Sequence, residues 1–366
     1  MTARARSRVC ALALRAALAV AAVAAGCATL ASPGAGDVDL PNAGAGPFRV
    51  LRTGEVKGHL APYVADSSGA KWREPSVLDV DGDPATLAVE VYAASGPDAT
   101  SRIVRFVADD GRSLSRNPPV ALTATEGWEG THVGSPCAVR VGGETWLYYA
   151  AEGGIGLARG SASGGDAGPA FTKVPGPVLG VEGAAAWESA APPGEPGVVR
   201  GRDGSFHLFY AAGGSIGEAT SSDGLHFTRA SGPVLAPSAT PASAPSDGGV
   251  DEPFDDVRVG HPAPVLATSA TGRELLRVYY GAEDRLGRRG VGLAAREGES
   301  GALTRATAPA LTTNYSPTAP SVVVFDRFAL LYFSQHAGLT PVLAYDAVAV
   351  GVAPATVSLV EPDAGN

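Results

Sequence analysis

Residues 195–235 read EPGVVRGRDGSFHLFYAAGGSIGEATSSDGLHFTRASGPVL. Four short runs, PGVVR, FHLFYAA, IGEATS and LHFTRA, carry the β-branched and aromatic residues that favour a pleated surface. Between them stand RDG, GGS and SDG, turn sequences whose glycines accept positive φ at no steric cost. Four strands joined by tight turns make one antiparallel meander.

Working outward, the unit recurs. Its anchor is Pro196, and further copies are anchored on Pro75, Pro136, Pro262 and Pro320, at successive spacings of 61, 60, 66 and 58 residues. Each anchor is followed, with a tyrosine 12 to 18 residues on, by a similar strand: VEVYAAS, WLYYAAE, FHLFYAA, LRVYYGA or ALLYFSQ. Five four-stranded copies predict an all-β fold, a five-bladed β-propeller, because radial repetition hides the sheet edges. Blades are expected near 72–122, 128–179, 187–235, 251–311 and 315–350. The last copy lacks a fourth strand. FRVLRTGEV at 48–56 is expected to fill that place, or failing that residues 355–360, giving a propeller over 48–360 and a tail at 361–366. The polar stretch 237–252 interrupts the period and reads as a long loop over one face. An innermost strand borders the central channel with one edge unpaired, which suits a proline with no N–H to offer. Residues just before the anchors are therefore expected to converge at the channel mouth, where a ligand would sit.

The N-terminus has a different logic. Arg4, Arg6, Arg8 and Arg15 flank an apolar run, ALAVAAVAA at 17–25, too short for a permanent span. It ends in Ala24-Ala25-Gly26-Cys27, which resembles a bacterial lipobox. That resemblance implies a signal peptide over 1–26 and lipid on Cys27; an ordinary secretory signal is the alternative. Residues 27–47 then read as a flexible linker. The expectation is an exported protein of the bacterial envelope, in the periplasm or at the cell surface, touching the membrane through its lipid alone. Net charge is −9 for the whole chain; without the four arginines, 24 basic groups face 37 acidic ones, net −13. Such a balance argues against nucleic acid and against docking on anionic lipid. Beyond Cys27 the exported chain keeps only Cys137, so no disulfide framework is available. Cys137 reads as a small buried strand residue. A monomer is expected.

Five blades, Glu-Pro openings and turns of the form SSDGLHFTR followed by GPVL resemble the furanosidase-type propeller superfamily of glycoside hydrolases, families 43, 32, 62 and 68 and relatives. The resemblance covers roughly residues 57–349 and is specific as to fold. It implies a carboxylate before the blade-one proline as base or nucleophile and a blade-three glutamate as acid, the pair that glycoside hydrolysis needs. Here blade one reads Trp72-Arg73-Glu74-Pro75, with Glu74 where the family usually has aspartate. Blade two reads Gly134-Ser135-Pro136, a serine where an aspartate often stands. Blade three reads Gly194-Glu195-Pro196, with the acid one residue nearer the proline than is common. The implied catalytic set is Glu74 with Glu195, or Glu188 in its place.

A second group lies seven to nine residues upstream of three anchors: Trp128-Glu129, Trp187-Glu188 and Phe254-Asp255-Asp256. These pairs suit a pocket rim, with indoles stacking on sugar faces and carboxylates bonding hydroxyls. The other reading makes the indoles wedges between blades and leaves the acids solvated. Trp72, Arg73, Arg258, His132 and His261 complete the candidate ligand contacts. Asp79, Asp81 and Asp83 alternate, but no glutamate completes a calcium loop, and no His, Cys or acid spacing marks a metal site. No cofactor is implied. Two functions stand: an enzyme acting on an oligosaccharide, or a catalytically eroded propeller that binds a glycan or a protein.

Overall fold

The computed structural model describes residues 46–50, 72–80, 86–111, 114, 118–161, 168–189, 191–239, 253–268, 274–313, 316–325, 328–338 and 344–354. Among these, β1 (Arg49–Val50) precedes five antiparallel sheets arranged as a five-bladed propeller. Blade one holds β2 (Trp72–Asp79), β3 (Val89–Ser95), β4 (Arg102–Ala108) and β5 (Val120–Leu122). Blade two holds β6 (Val133–Val141), β7 (Glu144–Ala151), β8 (Gly154–Ser161) and β9 (Thr172–Lys173). Blade three, the quoted copy, holds β10 (Gly194–Arg200), β11 (Phe206–Ala212), β12 (Ser215–Ser221) and β13 (Thr228–Arg229). Blade four holds β14 (Arg258–Thr268), β15 (Glu274–Glu283), β16 (Arg289–Glu297) and β17 (Thr304–Arg305), with β18 (Leu311–Thr312) also on β16. Blade five holds β19 (Thr318–Val324), β20 (Phe328–Gly338) and β21 (Ala344–Pro354). Its outermost place is taken by β1, through Arg49 opposite Val352 and Val50 opposite Gly351. Residues 51–56, most of 237–252, Asp81, Asp83, Cys27 and 355–360 lie outside the described residues.

Each blade presents one apolar face to each neighbour. The buried apolar residues among those described accordingly fall into five clusters, one per interface. Phe106 and Val91 meet Tyr332 and Val350 between blades five and one; Trp146 and Tyr148 meet Leu208 and Tyr210 between blades two and three. Second strands are covered on both sides, so β3 is buried along its whole length. That is why VEVYAAS reads as a continuous apolar run rather than an alternation.

The innermost strands β2, β6, β10, β14 and β19 share a device. Each ladder slips at the anchor: between Arg73 and Ser76, Gly134 and Cys137, Gly194 and Gly197, Gly260 and Ala263, and Thr318 and Ser321. At each slip the residue before the proline has positive φ: Glu74 56°, Ser135 41°, Glu195 51°, His261 46° and Ala319 48°. For residues with a Cβ this conformation costs about 1–3 kcal/mol apiece, and bulges re-aim side chains. The anchor prolines themselves line a narrow axial channel. The side chain after the proline then links blades. Ser76 Oγ accepts the Ala138 N–H at 2.9 Å, Cys137 Sγ accepts the Val198 N–H at 3.1 Å, and Ser321 Oγ accepts the Val77 N–H at 2.9 Å. These bonds satisfy inner-strand N–H groups that face the channel. Cys137 thus sits in a strand as expected, half-buried rather than buried, and also accepts a backbone bond; loss of contact with water pushes its thiol up to about 12.

Blades three and four are further joined by charge. Arg296 grips Glu218 through Nη1 at 2.7 Å and Nη2 at 2.6 Å, and His207 Nδ1 stands 2.9 Å from Glu218 Oε1. The bond to Glu218 raises the imidazole above its ordinary value, against the effect of burial. A folded pKa above the unfolded one, about 6.5, gives a stabilisation that is complete below pH 6.5. It is lost as pH rises through the folded value. Melting temperature should therefore fall on that alkaline limb in the wild-type protein, and His207→Gln should remove this part of the slope. An unchanged slope in the variant would assign the pH dependence elsewhere.

Candidate channel-mouth site

The slipped anchors open a cavity of about 500 Å³ at one end of the channel. Its wall includes Glu74, Ser135, Glu195 and His261, each from the position before an anchor proline, together with Arg73, His132, Arg258 and Arg289. The convergence expected from the spacing of the prolines is what the bulges produce.

Two carboxylates repeat one bond across blade boundaries. The Ser135 N–H donates to Glu74 Oε2 at 2.7 Å, and the Ser135 hydroxyl donates to the same oxygen at 3.0 Å. The His261 N–H donates to Glu195 Oε2 at 2.8 Å. Each acid is thus held by the pre-proline residue of the next blade, whose left-handed turn presents its N–H. The Glu74 N–H donates in turn to Ser334 Oγ at 2.6 Å. Arg258 Nη2 binds Glu195 Oε1 at 2.5 Å, and His261 Nε2 lies 3.3 Å from the same oxygen. Burial pushes the Glu195 carboxyl upward, but the nearby His261 and Arg258 outweigh it and hold the group below the usual carboxylate range. Arg73 is fixed by the Gly96 carbonyl and by Asp98, each at 2.8 Å.

The aromatic–acid pairs go elsewhere, which corrects the rim placement expected of them. Trp128, Glu129, Trp187, Glu188 and Asp255 do not line the cavity. Glu129 and Glu188 have no exposed surface. Glu129 accepts from Tyr149 Oη at 2.6 Å, Lys173 Nζ at 2.6 Å and two backbone N–H groups. Burial would raise its carboxyl, but Lys173, Tyr149 and the backbone outweigh it and lower it. Glu188 accepts from Tyr210 Oη at 3.1 Å and Arg229 Nε at 3.2 Å. Asp255 accepts from Tyr280 Oη at 2.9 Å and Arg305 Nη1 at 2.5 Å. One module is repeated in blades two, three and four: an acid entering the blade, a second-strand tyrosine and a fourth-strand cation. The indoles belong to it. Trp128 stacks on Tyr149 and Trp187 on Tyr210, both at 6.1 Å between ring centres. Trp72 is also buried, edge-on to Phe106 at 5.3 Å in the core between blades five and one. Buried acids already satisfied by a cation and a hydroxyl have no face left for a sugar.

Several residues at the mouth escaped the sequence reading, among them Arg289, Ser334 and Gln335. Ser334 and Gln335 both line the cavity; Gln335 is 1% exposed, and its Nε2 has no hydrogen-bond partner among the described residues. A buried, unmet N–H donor is costly unless something arrives to accept from it. A signal was present. By register, Ser334-Gln335 occupy the places of Ala94-Ser95, Ala150-Ala151, Ala211-Ala212 and Gly281-Ala282. Blade five alone sets two polar side chains there.

No protein-family model and no curated protein matches the chain. Solved structures do. The catalytic domain of a family 62 α-L-arabinofuranosidase from Coprinopsis cinerea superposes with TM-score 0.57 at 12% identity, covering 87% of this chain and all of that one. A thermostable family-43 glycoside hydrolase gives 0.54 at 16%, covering 83% and 92%. A family 117 glycoside hydrolase from the marine bacterium Zobellia galactanivorans gives 0.54 at 15%, covering 83% and 89%. The chain therefore has the fold of the five-bladed propeller glycoside hydrolases. At these identities the likeness extends to the fold alone.

Proposed function

We propose that the protein is a carbohydrate-active propeller that holds an oligosaccharide at the channel mouth, as a binding module rather than a hydrolase. The fold supports the ligand class, since the structures it superposes on are glycoside hydrolases. The observation that carries binding over hydrolysis is the contact of Glu195 with Arg258 and His261. A general acid must hold its proton near neutral pH. Arg258 and His261 instead keep this carboxyl ionised. Glu188, the other candidate acid, is sealed against Tyr210 and Arg229. In the binding reading Glu74 and the Gln335 amide bond sugar hydroxyls, and Arg73, Arg258 and His261 shape the wall.

A second reading, hydrolysis with Glu74 as base, is favoured by Glu74 and Glu195 standing at equivalent bulges of blades one and three. A panel of oligosaccharides and aryl glycosides separates the two. Binding by calorimetry without product release is expected. Release that vanishes in Glu74→Gln would make the protein an enzyme.

Export with a lipid anchor on Cys27 belongs to the same proposal and is supported by the Arg-flanked apolar run and the lipobox-like Ala24-Ala25-Gly26-Cys27. The wild-type protein should partition with membranes, and Cys27→Ser should be released from them. A membrane-bound serine variant would overturn the anchor.

A further inference from the structure

The mouth cavity adjoins a lobe of about 80 Å³ on the blade-four side, bounded by Arg258, His261, Glu283, Arg289 and Thr318. Glycine keeps it open: a Cβ at Gly281 would fall 2.8 Å from Thr318 Oγ1, and one at Gly260 would fall 2.5 Å from Glu195 Oε2. Both arginines are about half exposed, at 48% and 45% of their side chains.

The chemistry of a ligand is set by which donors and acceptors the empty site leaves unused. On the lobe side the acceptors are largely spent. Glu195 gives both oxygens to Arg258 and His261, and Glu283 Oε2 receives Arg289. In the adjoining cavity Glu74 Oε1, 3.8 Å from Arg73 Nε, stays open to a sugar hydroxyl among the described residues. Donors remain. Arg258 engages Glu195 through Nη2, and Arg289 engages Glu283 through Nε at 3.1 Å. Among the described residues the other N–H groups of both guanidiniums have no acceptor. The Gln335 Nε2 in the adjoining cavity has none either. A sugar hydroxyl both donates and accepts, so it matches such a wall poorly. A carboxylate or sulfate only accepts, and guanidinium forks receive it with strong charge-assisted bonds. The pairing of Arg258 and Arg289 with Glu195 and Glu283 also leaves the lobe near neutral, although the chain as a whole carries −9. An incoming anion therefore meets little local repulsion at physiological salt, where distant charges are screened.

From this donor excess we propose that the oligosaccharide carries an anionic group, a uronosyl carboxylate or a sulfate ester, received in the lobe by Arg258 and Arg289. The inference rests on the mouth being a glycan site. Arg289 is a specificity-determining residue in this account, and Gln335 supplies a further donor to the same ligand.

The test is calorimetry on the full chain with matched pairs of oligosaccharides. Galacturonate, glucuronate and mannuronate oligomers are each compared with their methyl esters, and a sulfated galactan oligomer with its desulfated form. At least one charged member should bind about tenfold or more tighter than its neutral counterpart, and which one does tells carboxylate from sulfate. Arg289→Gln should cut the charged-over-neutral preference about tenfold, and Arg289→Lys should restore part of it. Retained melting temperatures in both variants separate lost recognition from lost folding. Neutral glycans binding as well as every charged partner would overturn the anionic ligand and leave the glycan site standing. No binding by any glycan, charged or neutral, would sink both.

Discussion

Glu188→Ala should destabilise the protein by about 3–5 kcal/mol, the range for breaking a buried ion pair from one side. The carboxylate is fully buried, with Tyr210 Oη at 3.1 Å and Arg229 Nε at 3.2 Å. Truncation leaves a hydroxyl and a guanidinium facing a void, and each loses a partner it had been desolvated to meet. At roughly 2 °C per kcal/mol for a domain of this size, the melting temperature should drop by several degrees. Glu188→Gln keeps the shape and should cost less, because an amide oxygen still accepts. The outcome also separates the catalytic role that the resemblance implied for this residue from the buried role that its contacts give it. A catalytic acid at the mouth would lose turnover on conversion to Gln with its stability intact. A lock inside the blade loses stability.

Gly217→Ala tests the same module from its other side. Gly217 pairs with Tyr210 across β11 and β12, as Gly156 pairs with Tyr149 and Gly292 with Tyr280. The tyrosine ring lies over the glycine, so an added Cβ at Gly217 would stand 2.5 Å from Tyr210 Cζ and 2.7 Å from Trp187 Cη2. Neither ring can swing aside: Tyr210 is buried and bonded to Glu188, and Trp187 is stacked on Tyr210. Overpacking of this kind costs about 1–3 kcal/mol. Gly143→Ala, where a Cβ meets nothing within 4 Å, should change stability by less than about 0.5 kcal/mol. Equal melting temperatures for the two variants would refute the packing described for the Trp–Tyr–Gly stack.

These two positions also mark where sequence reading ended. The propeller was legible because the five copies carry their turns and prolines at readable intervals, and β10, β11 and β12 fall close to the runs PGVVR, FHLFYAA and IGEATS. The fourth strand of that copy is shorter than LHFTRA implied, with only Thr228–Arg229 on the ladder. The pre-proline residues were legible as a mouth, but their left-handed backbone was not, since a residue before proline ordinarily prefers an extended conformation. Trp187-Glu188 read as a sugar platform because an indole beside a carboxylate looks the same in either role. What decides it is Arg229, 41 residues away, brought alongside by the blade. Gln335 shows the converse, a polar residue in a strand otherwise reading as core, which gains meaning only when the five second strands are laid in register.

A channel mouth built for a glycan should depend on the Gln335 amide. Calorimetric titration of the wild-type and Gln335→Leu proteins, with any oligosaccharide that binds, should be paired with melting curves for both. Binding should weaken about tenfold in the variant, with a melting temperature that is unchanged or higher, because an unmet buried donor has been removed. Undiminished binding, or a protein that melts earlier because Gln335 was holding the fold, would show that the mouth is not a glycan site of this kind.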